Sequence, residues 1–161
     1  MNFQVIALPS SEFEALYGVS DEELLRRGIR TSIATARPGF PCRVSLQDAE
    51  PGTRMFLMHY EHQSVNSPYR SSHAIYVQDG AATASVPVNH VPAVLRVRLL
   101  SVRAFDRLGM MIDADVIDGA DAAPTFERLL GNDKTAYLHV HNAKRGCYAA
   151  RVDRVSETQQ S

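Results

Sequence analysis

The stretch Tyr137-Leu-His-Val-His-Asn-Ala-Lys-Arg-Gly-Cys-Tyr148 gathers two histidines, an amide, two cations and a thiol in one short segment. His139 and His141 stand two apart in an alternating run. On a strand both imidazoles leave the same face, about 6.5–7 Å apart at their Cα atoms. Neutral imidazoles so placed can converge on one zinc, iron or copper ion. A complete site takes three or four ligands, and His59 joins His139 and His141 as the candidate metal set. His62, Cys42, Asp113 and Asp115 are further donors. The spacing His59-Tyr-Glu-His62 lacks the helix that a metalloprotease motif requires. The plainer alternative is that the histidines simply hydrogen-bond within a half-buried polar sheet face.

Cys147 opens the next alternating run. If residues 139–141 and 147–149 pair across the turn, the thiol lies within a residue or two of His141. A thiolate beside an imidazole is a nucleophile, so His141, Cys147 and His62 are the candidate catalytic residues, the histidines as general acid or base. Against this, free cysteine usually behaves as a small buried hydrophobe. Arg43, Arg70 and Arg145 each present a fork that can hold a carboxylate or phosphate. Tyr69, Cys42 and Asn142 complete the candidate ligand-binding set. Any one arginine alone reads as a solvated surface side chain. The group gains meaning only if it converges.

The elements that must position these residues read as strands with a few short helices. Residues 3–7 form a strand stopped by Pro9, and Ser10 or Ser11 caps a brief helix through Tyr17. Ser20 caps a second helix, with Asp-Glu-Glu in its first turn and Arg26 and Arg27 in its last, as the helix dipole favours. Residues 29–36, 42–46, 55–60 and 74–78 alternate or run apolar as strands. In the second of these Cys42, Val44 and Leu46 face one way, Arg43 and Ser45 the other. Residues 61–72 form a long polar loop, of the length at which loops tend to be functional. Residues 93–105 fit helix or strand, with the β-branched alternation favouring a strand that pairs with 110–117 around Asp106–Gly109. Residues 121–130 read as a helix ended by Gly131, and residues 135–141 and 147–155 as a closing hairpin. The expected class is α+β: a single domain over residues 1–155 with a mostly antiparallel sheet, followed by a polar tail at 156–161.

At 161 residues, 45% hydrophobic and 22% charged, the chain can bury a sizeable core. Its net charge of −1 leaves no electrostatic footprint for nucleic acid. No apolar run reaches the roughly 20 residues that span a bilayer, and the N-terminal segment lacks the basic region of a signal peptide. The expectation is a cytoplasmic protein with two free thiols, no membrane or nucleic-acid partner and no specified cofactor. Exposed strand edges leave self-association open.

Several segments together carry a resemblance. Phe40-Pro-Cys-Arg-Val-Ser-Leu-Gln-Asp-Ala-Glu-Pro-Gly52, Tyr60-x-His62, Ser67-Pro-Tyr-Arg70 and His141-Asn-Ala-x-x-Gly-Cys-Tyr148, with Arg151 and Arg154, resemble DUF1203, a family of small bacterial proteins without an assigned activity. The resemblance implies one intact domain and a bacterial cytoplasmic origin. It implies no reaction. From the residues themselves the leading expectation is a small enzyme acting on an anionic metabolite in an Arg/His/Cys-lined pocket. A ligand-binding or sensor module and a histidine-based metal binder are the alternatives.

Overall fold

The structure, a computed structural model, describes residues 1–157. Positions 158–161, most of the expected tail, lie outside the described residues. Eight strands fall into two sheets rather than one. The larger contains β1 (Asn2–Ile6), β5 (Leu99–Phe105), β6 (Met111–Asp118), β7 (Tyr137–Asn142) and β8 (Tyr148–Val155) in the order β1-β8-β7-β5-β6. The smaller is β2 (Arg30–Ile33), β3 (Arg54–Gln63) and β4 (Ser71–Gln78) in sequence order. Every strand pair is antiparallel. The α+β class holds.

The period-two alternation of β5, β7 and β8 puts Val102, Leu138, Val140 and Val152 on one face of the large sheet. There they meet α3 (Ala122–Leu130). Phe126, Leu129 and Leu130 line the buried side of this helix, and the Phe126 ring sits edge-on to Phe3 at 5.4 Å. Removing Phe126 to alanine would cost about 3–5 kcal/mol. A second core fills the small sheet, where Met55, Phe56, Ile75 and Val77 pack with Phe13 and Leu24. Leu24 comes from α1 (Asp21–Arg26), whose Ser20 cap accepts from the Glu23 amide as the sequence predicted.

Four local expectations give way. The brief helix after Ser10 is two successive 3₁₀ turns, Ser10–Glu12 and Glu14–Leu16. The expected strand at 42–46 is a tight loop held by isolated bridges at Pro41–Asp48 and Cys42–Tyr76. Its alternation misleads because Cys42, Arg43 and Val44 are all buried, and the chain doubles back through Leu46 at φ 52°. Residues 93–105 split in two. Pro92 starts a single turn, α2 (Ala93–Arg96), which buries Val94 and Leu95 before β5 begins at Leu99. The long loop is also shorter than expected, because β3 runs on to Gln63 and β4 starts at Ser71.

Candidate functional site: a histidine cluster beside a cationic cleft

The second face of β7 should be wet in a sheet covered on one side, yet His139 and His141 are 3% and 0% exposed. The end of the β3–β4 hairpin lies across it. Register puts Arg103 and Ser101 of β5 beside His139 and His141, and Arg151 and Tyr148 of β8 on their other side. Gln63 fastens the hairpin: its side-chain nitrogen donates to the Tyr137 hydroxyl (2.8 Å), which also contacts its Oε1 (3.1 Å).

The β3–β4 pairing slips between Tyr60 and Gln63, and His62 lies in that irregular segment. The His62 ring stacks on Tyr148, with 4.9 Å between centroids and 9° between planes. It also meets His141 edge-on at 4.9 Å. Its Nε2 lies 2.7 Å from Nδ1 of His73, so one of these imidazoles donates to the other. His141 Nδ1 lies 2.9 Å from the Gly146 carbonyl. A carbonyl can only accept, so the proton is on Nδ1 and the lone pair on Nε2. That Nε2 is buried and, among the described residues, without a hydrogen-bond partner, as are Nδ1 of His62 and of His139. One nitrogen each from His62, His73 and His141 lies within 4.8 Å of the others.

Electrostatics keep the cluster uncharged. Burial is the chief cause and pushes His62 down to about 4, and His139 and His141 down to about 3. His73 is lowered by burial too, and the positive charge of Arg103 acts in the same direction on all four. At neutral pH these are uncharged imidazoles.

Next to the cluster a cleft of about 640 Å³ opens between the loop at 39–43, β4, the start of β5 and the turn after β7. His73 belongs to both cluster and cleft wall. The other polar side chains on the wall are Arg43, Tyr76, Arg98, Asn142, Lys144, Arg145 and Cys147. Arg43 is 2% exposed. Its Nε donates to the Tyr148 carbonyl (2.7 Å), Nη1 to the Pro41 carbonyl (2.6 Å) and Nη2 to the Cys147 sulfur (3.0 Å). Among the described residues no carboxylate pairs with it. Burial pulls this guanidinium below its ordinary value, while the sulfur acts against that shift. Arg98 is fully engaged with Asp48, at 2.6 and 2.9 Å. Lys144 and Arg145 are exposed and form no ion pair with any described residue.

Of the sequence candidates, Arg43, Asn142, Arg145 and Cys147 line this cleft. His139, His141 and His62 form the layer beside it, with His141 wholly buried. Cys42 is a core thiol of the small sheet, accepting from the amides of Gln78 and Ser45. Tyr69 rests against Phe105, and Arg70 is exposed and paired with Glu61. Neither of these two reaches the cleft wall. His59 is exposed, outside the three-histidine group, and Asp115 pairs with Arg128 of α3. Asp113 lies on edge strand β6. Across the hairpin Tyr148, not Cys147, faces His141, because the register slips between Val140 and His141. The thiol turns to Arg43 instead. Sequence reading missed His73. The signal was the β3–β4 hairpin itself, in which His73 lies opposite Tyr60, two residues from His62.

Fold and site together define a two-sheet α+β protein with a buried imidazole layer beside a basic, thiol-bearing cleft. Residues 39–154 match the family described as "Protein of unknown function (DUF1203)", and the chain belongs to that family. The matched span takes in every member of the cluster and every group on the cleft wall. No curated protein and no solved structure matches the chain. Among the described residues no helix is long and apolar enough to cross a membrane.

Proposed function

We propose that the protein acts on a small metabolite bearing a carboxylate or phosphate, bound in the cleft with Cys147 as the reacting thiol. The observation that carries this reading is the charge of Arg43. A buried guanidinium without a carboxylate partner is costly, and it is stabilised by an anion placed against it. Its third arm points at the Cys147 sulfur, on the wall of a cleft where Lys144 and Arg145 add unpaired positive charge. Asn142 Oδ1, buried and without a partner among the described residues, offers an acceptor for a donor group on the same molecule. The imidazole on this wall is His73. A bacterial cytoplasm, reducing, would keep Cys147 free.

A second reading, binding without turnover, is favoured by one fact. Among the described residues the Cys147 sulfur hydrogen-bonds to Arg43 and Asn142 and to no imidazole. The test is a thermal-shift screen with carboxylates and phosphate esters against a salt control. A hit should raise Tm, protect Cys147 from iodoacetamide and lose affinity in Lys144→Ala/Arg145→Ala. Conversion of the hit by wild type but not by Cys147→Ala establishes the enzyme, and binding alone establishes the module. No shift above the salt control, with alkylation unprotected, ends both.

A further inference from the structure

We propose that His62, His73 and His141 bind a single divalent transition-metal ion of the zinc class. The three side chains come from β3, β4 and β7, so the site exists only once the two sheets have come together. Three neutral imidazoles with no thiolate or carboxylate among them suit Zn²⁺, Co²⁺, Ni²⁺ or Cu²⁺ rather than Mg²⁺ or Ca²⁺.

The His141 arrangement is that of a ligand. Its Nδ1–H is anchored on the Gly146 carbonyl, which fixes the ring and leaves Nε2 bare. Metal-bound histidines are commonly held by such a hydrogen bond from the far nitrogen. Among the described residues the bare Nε2 is buried without a partner. A buried polar atom left so costs about 1–3 kcal/mol. On His141 the idle nitrogen coincides with membership of the three-histidine group, which the idle Nδ1 of His139 lacks.

The geometry requires small movements. Zinc–nitrogen bonds of about 2.0–2.1 Å place two nitrogens about 3.4 Å apart on a tetrahedral ion. The 2.7 Å contact between His62 and His73 must therefore open slightly. The wider separations, at most 4.8 Å, must close. Both are changes that ring rotations supply. Binding also moves the proton shared by His62 and His73 to a far nitrogen. Three neutral ligands leave the ion's charge intact, and the positive charge of Arg103 already acts on all three rings. The fourth position therefore takes an anion or hydroxide. His73, common to cluster and cleft, marks the side from which that ligand enters. His139 lies beside the group and Tyr148 beneath it, as packing rather than ligands.

Tag-free protein stripped with a chelator and titrated with Co²⁺ tests this. The expected result is one ion per chain, the intense visible absorption of four-coordinate cobalt, and displacement by Zn²⁺. His73→Ala, at a partly exposed position, should weaken binding by about 100-fold or more. Its circular dichroism should be unchanged. His141→Ala should lose binding as well, and His59→Ala, an exposed histidine of the same hairpin, should bind as wild type. Well under one ion per chain, uptake by His73→Ala equal to wild type, or loss in His59→Ala overturns the site.

Discussion

The Cys147 sulfur sits 3.0 Å from Nη2 of Arg43, a residue more than a hundred positions earlier in the chain. The same guanidinium holds the Tyr148 carbonyl at the start of β8 and the Pro41 carbonyl in the 39–48 loop. It therefore joins the first residue of inner strand β8 in the large sheet to the loop beside the small one, and presents a thiol to the cleft between them. Removing its shape, even while keeping its charge, should loosen both.

Arg43→Lys tests that statement. An ammonium cannot reach three acceptors arranged around a planar fork. With one or two buried carbonyls left short of a donor, each costing about 1–3 kcal/mol, the variant should lose about 2–4 kcal/mol. Urea unfolding followed by circular dichroism measures this. A midpoint within error of wild type would mean that the guanidinium does not hold the loop.

The two thiols should separate chemically. Cys42 is 1% exposed, whereas Cys147 is half-buried on the cleft wall. Iodoacetamide should add one group to the native chain, at Cys147, and two after unfolding in urea. Intact-mass spectrometry reads both numbers. Modification of Cys42 in the native state would show that the 42–46 loop opens.

Asp48 holds that loop from its far side. Its carboxylate accepts two bonds from Arg98, just before β5, and its side chain is 8% exposed. Breaking a buried pair by removing one partner leaves an uncompensated charge, typically at about 3–5 kcal/mol. Asp48→Ala should fall near the lower end, since Arg98 is partly solvated. A loss below about 1 kcal/mol would place the pair among solvent-screened surface bridges.

Where the sequence was legible and where it was not follows from the range of each signal. Period-two patterning and helix caps are local, so β7, β8, α1 and α3 could be read directly. The shared face of His139 and His141 could be read for the same reason. What covers that face is not local. Nothing near residue 139 says that His62 and His73 cross it, because the covering hairpin comes from another sheet. The 42–46 segment misled for a related reason: its charged residue points inward, towards Tyr148 and Cys147, so its alternation no longer separates core from solvent. Arg70 and Tyr69 looked like a ligand pair by composition. Their loop instead packs on the β5–β6 turn, where Ser67 donates to the Gly109 carbonyl.

The imidazole layer should make the metal-free protein sensitive to mild acid. His139 and His141 are held near 3 and His62 near 4, against about 6.5 for the unfolded chain. Above about pH 6.5 these groups are neutral in both states, and the stability tied to them is fully present. Below it the unfolded chain takes up protons that the folded chain refuses, so stability falls with pH until the folded cluster also titrates at about 3–4. A fully buried imidazole can contribute a slope of up to about 1.4 kcal/mol per pH unit. His139 and His141 together therefore give up to about 3 kcal/mol per unit. The carboxylates held low by arginines, Asp21, Glu23 and Glu61, add their loss only at lower pH. The interval from pH 6.5 to 4.5 consequently isolates the histidines. Urea midpoints of chelator-treated protein should drop steadily across it, and His139→Gln should flatten the slope by about one proton's worth. A flat profile over that interval would mean the cluster admits protons freely and is not the dry layer described above.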